Sequence, residues 1–158
     1  MNPFENIAKI LIRKNMTVTF AESCTGGLLA KTLTDIPGVS EVFSGSVVTY
    51  ANDAKHKLLG VCEKTLQSYG AVSKQTAYEM AKGARLLFSS DIAVSVTGIA
   101  GPGGGSKEKP VGLVYIGIST QEKTKTYRLL ASDKNGREGV RNTVLKCVCR
   151  LLQEELSE

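Results

Sequence analysis

The apolar residues of this chain recur with the two spacings that distinguish strands from helices. Five stretches are typical of strands, because β-branched, aliphatic and aromatic residues are frequent in them. They are residues 17–21 (TVTFA), 42–50 (VFSGSVVTY), 92–100 (IAVSVTGIA), 111–120 (VGLVYIGIST) and 123–131 (KTKTYRLLA). The third is mostly apolar, as in a strand buried on both faces. The last two are separated so briefly that they predict an antiparallel hairpin.

Helical spacing marks the segments between and around these strands. Phe4, Ile7, Ala8 and Leu11 define a first helix, and residues 27–36 form a second that Pro37 and Gly38 stop. A helix ending at Gly60 and a short helix near residues 63–69 follow. The amphipathic pattern of residues 73–88 predicts a longer helix, and residues 137–152 predict the last one.

Strands alternating with helices, followed by a hairpin, predict an α/β fold. We expect a mixed, mostly parallel five-stranded sheet between two layers of helices, which is a three-layer α/β/α architecture. Neither an internal repeat nor a linker divides the sequence, so residues 1–158 are predicted to form one domain. A chain of this length can bury a substantial core.

Composition narrows the classes of protein and partner. Hydrophobic residues make up 42% and charged residues 22%, which is typical of a folded domain. No apolar run approaches the ~20 residues of a membrane span, and the N-terminus lacks the apolar segment of a secretory signal, so we expect a cytoplasmic protein that does not bind membranes. The four cysteines form no CxxC pair and have no histidine cluster nearby, so reduced thiols and no metal are expected.

The net charge of +5 is spread along the chain rather than gathered in a basic stripe. Tryptophan is absent, and aromatic residues are only 6% of the chain, so a nucleic-acid surface is not expected. A modest positive charge is better suited to a small anion such as a phosphorylated metabolite.

Three segments follow predicted strands, where open α/β sheets place their ligands. The first is the turn ESCTGG (22–27), in which Ser23 or Cys24 would lie near free backbone N–H groups at the start of a helix. Such groups bind anions and stabilise the oxyanion that forms when a hydroxyl attacks an amide carbonyl. Gly26 and Gly27 would let a ligand approach the backbone. The alternative is that Ser23 and Thr25 simply cap the helix.

The other two segments are TYANDAK (49–55) and TGIAGPGGGS (97–106). The only histidine, His56, is expected in solvent, and no GxSxG motif is present, so a Ser-His-Asp triad has little support. Lys55 can act as a base if burial lowers its pKa, although an ordinary surface charge is the alternative. The glycine-rich loop is neither a P-loop nor a dinucleotide fingerprint; it either cradles a phosphate or is a flexible entry to the hairpin.

Four segments in order closely resemble the CinA C-terminal domain family, in its stand-alone form, over nearly the whole chain. They are AESCTGG (21–27), GSVVTYANDAKHKLLGV (45–61), GAVS (70–73) and VSVTGIAGPGGGSKEKPVGLVY (94–115). The resemblance implies an anticodon-binding-domain-like fold and a nicotinamide-nucleotide amidase. Such an enzyme hydrolyses nicotinamide mononucleotide (NMN) to nicotinate mononucleotide and ammonia, in pyridine nucleotide salvage, without a metal or other cofactor.

The resemblance also implies roles for individual residues. The catalytic residues fall on Ser23 as the nucleophile, Lys55 as its base and Tyr50. We expect Tyr50 to relay a proton to the leaving ammonia or to hold Lys55 in place. Substrate-binding positions implied by the resemblance fall on Ser40, Thr97 and Arg137, and we add Gly98 beside Thr97. Our own hypothesis is that the amides of Thr25, Gly26 and Gly27 receive the oxyanion and that Arg137, with the glycine-rich loop, holds the 5′-phosphate.

Two alternatives remain open at this stage. In the first alternative, the protein is a thiol amidohydrolase with Cys24 as the nucleophile and with Glu22 and Lys55 as base and acid. The second is a nucleotide-binding module without activity that acts in a competence or DNA-damage response. We also expect a homo-oligomer, in the simplest case a dimer.

Overall fold

A computed structural model describes residues 1–158 and contains one five-stranded sheet. The strands are β1 (Val18–Glu22), β2 (Val47–Val48), β3 (Ile92–Gly98), β4 (Leu113–Ser119) and β5 (Thr124–Leu130), in the spatial order β2-β1-β3-β4-β5. β1 pairs in parallel with β2 and β3, while β4 runs antiparallel to both β3 and β5. Four strands therefore share one direction and β4 opposes them, which confirms the mixed, mostly parallel sheet.

Six helices cover this sheet: α1 (Glu5–Lys14), α2 (Leu28–Thr34), α3 (Asn52–Leu59), α4 (Glu63–Tyr69), α5 (Lys74–Phe88) and α6 (Gly136–Leu156). Alternate residues of β1 contribute to different cores, because successive side chains of a strand point to opposite faces. Phe20 joins the larger core with residues of α1, α2 and α6, whereas Ala21 joins a smaller core with Met80 of α5 and Leu59 of α3. The helices thus form two layers with the sheet between them, as predicted.

α5 lies close against its face of the sheet because the facing residues are small. A side chain added at Gly117 of β4 would come within 2.5 Å of the Ala77 carbonyl oxygen. The Ser95 hydroxyl of β3 donates a hydrogen bond to the same oxygen at 2.6 Å. This contact anchors the start of α5, and with it the loop that precedes the helix.

The second strand is much shorter than residues 42–50, the stretch that we predicted. Only Val47 and Val48 are in the strand, and residues Val39–Glu41 form a 3₁₀ turn. The Val42 carbonyl accepts from the Val18 N–H, and the Gly45 carbonyl accepts from the Thr19 hydroxyl. Residues 42–46 therefore cross beside the first half of β1 without a regular ladder, and pairing begins only at Val47.

The carboxyl ends of β1, β2 and β3 lie side by side, since Glu22 is in register with Val48 and with Val96. Pairing continues one residue further, where the Thr49 N–H donates to the Glu22 carbonyl at 2.8 Å. The three segments that follow these strands consequently meet at one edge of the sheet. None of the helices is both long enough and apolar enough to cross a membrane.

Candidate active site

Ser23 and Lys55 meet at this edge although they are 32 residues apart in the chain. The Lys55 Nζ lies 3.0 Å from the Ser23 Oγ, 2.7 Å from the Thr49 carbonyl oxygen and 3.3 Å from the Tyr50 carbonyl oxygen. Lys55 is only 1% exposed. Burial lowers the pKa of its amine from 10.5 to about 8, because the charged form loses its hydration.

The three contacts of Lys55 suit an ammonium, which can donate to all three oxygens, and they also suit the neutral amine that a base requires. Such an amine has two hydrogens and one lone pair, and two carbonyl oxygens are available for the hydrogens. The lone pair is then left for the hydroxyl hydrogen of Ser23. No carboxylate contributes to the pKa of Lys55, and only the nearby Cys24 opposes the effect of burial. The surface-charge interpretation of this lysine is wrong.

Glu22, rather than Ser23, caps the helix that follows the turn. Its buried carboxylate accepts hydrogen bonds from the Thr25 hydroxyl at 2.7 Å, from the Leu29 N–H at 2.9 Å and from the Ala30 N–H at 3.1 Å. A carboxylate at this position also stabilises the positive end of the helix. The Ser23 hydroxyl is therefore free of the capping role and faces Lys55.

The carbonyl groups of Ser23, Cys24 and Thr25 each have a donor. The Ser23 carbonyl accepts from the Gly26 N–H, and the Thr25 carbonyl accepts from the Leu28 N–H, both at 3.1 Å. The carbonyl of Cys24 accepts from the Arg141 Nε at 2.8 Å. The backbone N–H groups of Cys24, Thr25 and Gly27 make no hydrogen bond within the chain.

Cys24 has a different environment from that of its neighbour. The side chain is 5% exposed and packs with the larger core. Burial raises the pKa of the thiol to about 11, and the nearby Arg141 offsets only part of this effect. Because the thiolate is the nucleophilic form, this environment disfavours Cys24 as a nucleophile at neutral pH.

A cavity of about 240 Å³ opens beside the Ser23–Lys55 pair. Its wall contains no carboxylate, and its charged residues are Lys55 and Arg137. The other lining residues are Ser23, Cys24, Tyr50, Ala71, Val72, Thr97, Gly98, Ile99, Ala100, Gly101, Gly103 and Gly104. The charge of this wall favours a neutral or anionic ligand.

Arg137, in the first turn of α6, links two sides of the cavity. One terminal nitrogen donates to the Gly101 carbonyl and the other donates to the Tyr50 hydroxyl, each at 2.6 Å. A guanidinium has five N–H donors, so three remain for a ligand. The Tyr50 ring is 60% exposed, and its hydroxyl contacts Arg137, whereas Lys55 contacts only its backbone carbonyl.

Thr97 and Gly98 form the wall at the end of β3. The Thr97 hydroxyl donates to the Ala71 carbonyl at 2.7 Å, which joins the strand to the loop before α5. A side chain at Gly98 would come within 2.5 Å of the Val114 side chain, so no larger residue fits without a shift. Both residues are at the cavity, as the sequence predicted.

The cavity wall includes none of the predicted residues Thr25, Gly26 and Gly27, although they follow Cys24 directly. Ser40 is also absent from the wall. It lies exposed in the 3₁₀ turn, two residues before Val42, whose carbonyl pairs with the first residue of β1. Ser23 follows the other end of that strand. The short α2 runs back along the sheet between them and carries the chain away from the site.

Sequence reasoning missed the roles of Glu22 and Arg141. Arg141 follows Arg137 by four residues, so both face the same side of α6. That spacing was the available signal. Nothing in the pattern distinguished a capping carboxylate at Glu22 from an ordinary residue at a strand end.

Comparisons with known proteins agree on one family. Residues 2–156 match the family model of the CinA C-terminal domain. A CinA-like protein from Endomicrobium trichonymphae is 51% identical over 148 residues, which are 94% of this chain and 34% of that protein. A relative from Caldanaerobacter subterraneus subsp. tengcongensis, named as competence-damage inducible, is 56% identical over 133 residues, or 84% of this chain and 32% of the relative. The chain thus spans about a third of the length of these relatives.

Solved structures show the same fold. A competence/damage inducible protein from Agrobacterium tumefaciens aligns with a TM-score of 0.91 at 42% identity, covering 100% of this chain and 98% of that one. A competence damage-inducible protein from Klebsiella pneumoniae aligns with a TM-score of 0.94 at 33% identity, covering 99% and 96% of the two chains.

Proposed function

The chain belongs to the CinA C-terminal domain family, and on that premise we propose that it is a nicotinamide-nucleotide amidase. In this proposal it hydrolyses the carboxamide of NMN, releasing nicotinate mononucleotide and ammonia. The resemblance of the site segments to those of such amidases suggests the substrate. The reaction type is supported by the chemistry of the cavity.

The observation that carries the proposal is the contact between the Ser23 hydroxyl and the Lys55 amine. An amine with a pKa of about 8 is partly neutral at physiological pH and can accept a proton. At 3.0 Å from the Ser23 Oγ, it is within the distance required for proton transfer. A Ser–Lys pair of this kind is a known variant of the serine–base arrangement.

In the first half of the reaction, the Ser23 oxygen attacks the carboxamide carbon while Lys55 takes the hydroxyl proton. The carbonyl oxygen becomes an oxyanion, and the free N–H groups of the turn are available to receive it. Lys55 then returns the proton to the amide nitrogen, the C–N bond breaks, and ammonia leaves. An acyl-enzyme ester remains on Ser23.

In the second half, water attacks the ester carbon and gives its proton to the neutral Lys55. The C–O bond to Ser23 breaks, the serine recovers a proton from Lys55, and the free carboxylic acid leaves. General-base assistance contributes about 10²–10⁴-fold to such steps. One oxyanion donor contributes about 10²–10³-fold.

Arg137 is the proposed partner of the nucleotide phosphate. Its guanidinium retains free N–H donors, and its fork geometry suits bidentate contact with phosphate oxygens. Tyr50 holds this guanidinium through its hydroxyl, so the tyrosine orients the phosphate-binding group. Thr97, whose hydroxyl hydrogen is used by the Ala71 carbonyl, offers the substrate only an acceptor.

An ammonia-release assay on NMN tests the proposal. Wild type and Ser68→Ala, which changes an exposed serine of α4, should release ammonia at equal rates. Ser23→Ala should release none while still binding nicotinate mononucleotide by calorimetry, because the variant removes only the attacking oxygen. Substantial release by Ser23→Ala, with Cys24→Ser inactive, would instead support the thiol alternative. Binding of the nucleotide without ammonia release by wild type would support the non-catalytic module.

A further inference from the structure

Arg141 is the one side chain that holds a carbonyl group of the Ser23 turn. The neighbouring carbonyls of Ser23 and Thr25 are bonded within the turn, by N–H groups three residues further on. The Cys24 carbonyl has no such local partner, and its donor comes from α6, 117 residues away in sequence. The orientation of this one peptide unit therefore depends on packing between α6 and the turn.

The orientation matters because the C=O and N–H of a trans peptide point in opposite directions. The only cis peptide in the chain is Gly101–Pro102, so the Cys24–Thr25 peptide is trans. Its carbonyl points toward Arg141, and its N–H, which belongs to Thr25, consequently points away from α6. That N–H has no acceptor within the chain.

The surroundings of Arg141 favour a fixed position. Its guanidinium lies beside Gly26, where an added side chain would come within 3.5 Å of a terminal nitrogen. Gly26 has φ +63°, a left-handed conformation that turns the chain toward α2 and leaves this space for the guanidinium. Arg141 and Thr25 are absent from the cavity wall, whereas Arg137 and Cys24 are part of it, so the Cys24–Thr25 peptide that Arg141 holds lies at the edge of the cavity.

We propose that Arg141 is a positioning residue, which holds the Cys24–Thr25 peptide so that the Thr25 N–H is directed to receive the oxyanion formed on attack by Ser23. This inference rests on the proposed amidase function. Arg141 itself does not touch the substrate in this scheme. Losing it should therefore weaken stabilisation of the transition state while leaving ground-state binding and the Lys55 amine unchanged.

The test uses a reaction that does not depend on the identity of the amide. A fluorophosphonate probe forms a bond between the Ser23 oxygen and phosphorus, with loss of fluoride and transfer of the serine proton to Lys55. The phosphoryl oxygen needs the same N–H donors as the oxyanion. Rates of labelling at Ser23 are measured by mass spectrometry in wild type, Arg141→Met, Arg141→Lys and Arg150→Met. Arg150 is the matched control, because it lies exposed on the same helix and pairs with Glu154.

We expect Arg141→Met to label about 10–100-fold more slowly, which is less than the loss of a whole donor, because the Thr25 N–H stays in place and only its orientation is loosened. Arg141→Lys should recover part of the rate, and Arg150→Met should match wild type. In the ammonia assay, kcat of Arg141→Met should fall by a similar factor, with KM changed less than about threefold. The pH midpoint should stay near 8, as set by Lys55.

Three results would overturn the inference. They are a labelling rate in Arg141→Met equal to that of wild type, a rise in KM with kcat unchanged, and a pH midpoint that moves toward 10.5. The last would show that Arg141 merely keeps water from Lys55. If wild type releases no ammonia from NMN and Arg141→Met is still labelled more slowly than wild type, the proposed substrate is refuted and the role of Arg141 is retained.

Discussion

Replacing Lys55 with methionine separates the cost of burying an amine from the hydrogen bonds that the amine makes. The folded protein lowers the pKa of this group from 10.5 to about 8, so folding opposes its protonation. The difference corresponds to roughly 3 kcal/mol of stability. Below pH 8 both the folded and the unfolded chain carry the proton, and the full cost is present.

The sign of the pH dependence follows from proton counts. Between about pH 8 and 10.5 the unfolded chain binds more protons at Lys55 than the folded chain does, so stability rises with pH in this window. From pH 7 to pH 10 wild type should gain roughly 2.5 kcal/mol relative to Lys55→Met. The hydrogen bonds lost in the variant are lost at both pH values and cancel in this comparison.

Urea unfolding of both proteins at pH 7 and pH 10 measures the gain. Both carry Cys24→Ser, because the Cys24 thiol and Lys55 act on each other's pKa and the thiol would otherwise titrate differently in the two proteins. Lys57→Met is the control, because Lys57 is exposed on the same helix and pairs with Asp53. Because the hydrogen bond to Asp53 raises the pKa of Lys57, wild type should show no gain relative to this variant, and any change should have the opposite sign. If wild type and Lys55→Met keep a constant difference between pH 7 and 10, Lys55 is not held neutral, and the proposed base has no support.

Three other substitutions test separate features of the site. Cys24→Ser should keep most of the ammonia release, because a thiol with a pKa of about 11 is ionised to roughly one part in 10⁴ at pH 7; loss of release would contradict this. Tyr50→Phe should raise KM a few-fold and leave the pH midpoint of kcat near 8, since only the backbone carbonyl of Tyr50 contacts Lys55; a moved midpoint would show that the phenol acts on the lysine. Gly98→Ala should lower the free energy of unfolding by about 1–3 kcal/mol in urea, because its side chain would overlap Val114; unchanged stability would show that the two strands separate easily.

The order of strands and helices could be predicted because each element has its own hydrophobic period. β3 and α5 illustrate this, since the first is a mostly apolar run and the second has a clear amphipathic stripe. The second strand was predicted too long, because Val42 and Phe43 pack with the larger core beside the start of β1 without joining the ladder. The residue types of a short segment predict whether it is buried better than they predict whether it pairs with a neighbouring strand.

Residues next to strand ends could be placed in the site for a topological reason. Parallel neighbours bring their carboxyl ends together, so Ser23 and Thr97 had to be close once β1 and β3 paired. Ser40 could not be placed in this way. It follows the end of a helix that returns along the sheet, and its position depends on how far that helix runs.

The sequence by itself determined the α/β fold, the turn that carries Ser23 and the family to which the segments belong. Only the tertiary structure decided that Lys55 is buried with a lowered pKa, since that pKa depends on the exclusion of water by residues distant in the chain. The same holds for Glu22 as the helix cap and for Arg141 on the Cys24 carbonyl. These roles arise from hydrogen bonds between separate segments, and a local pattern of residue types does not encode them.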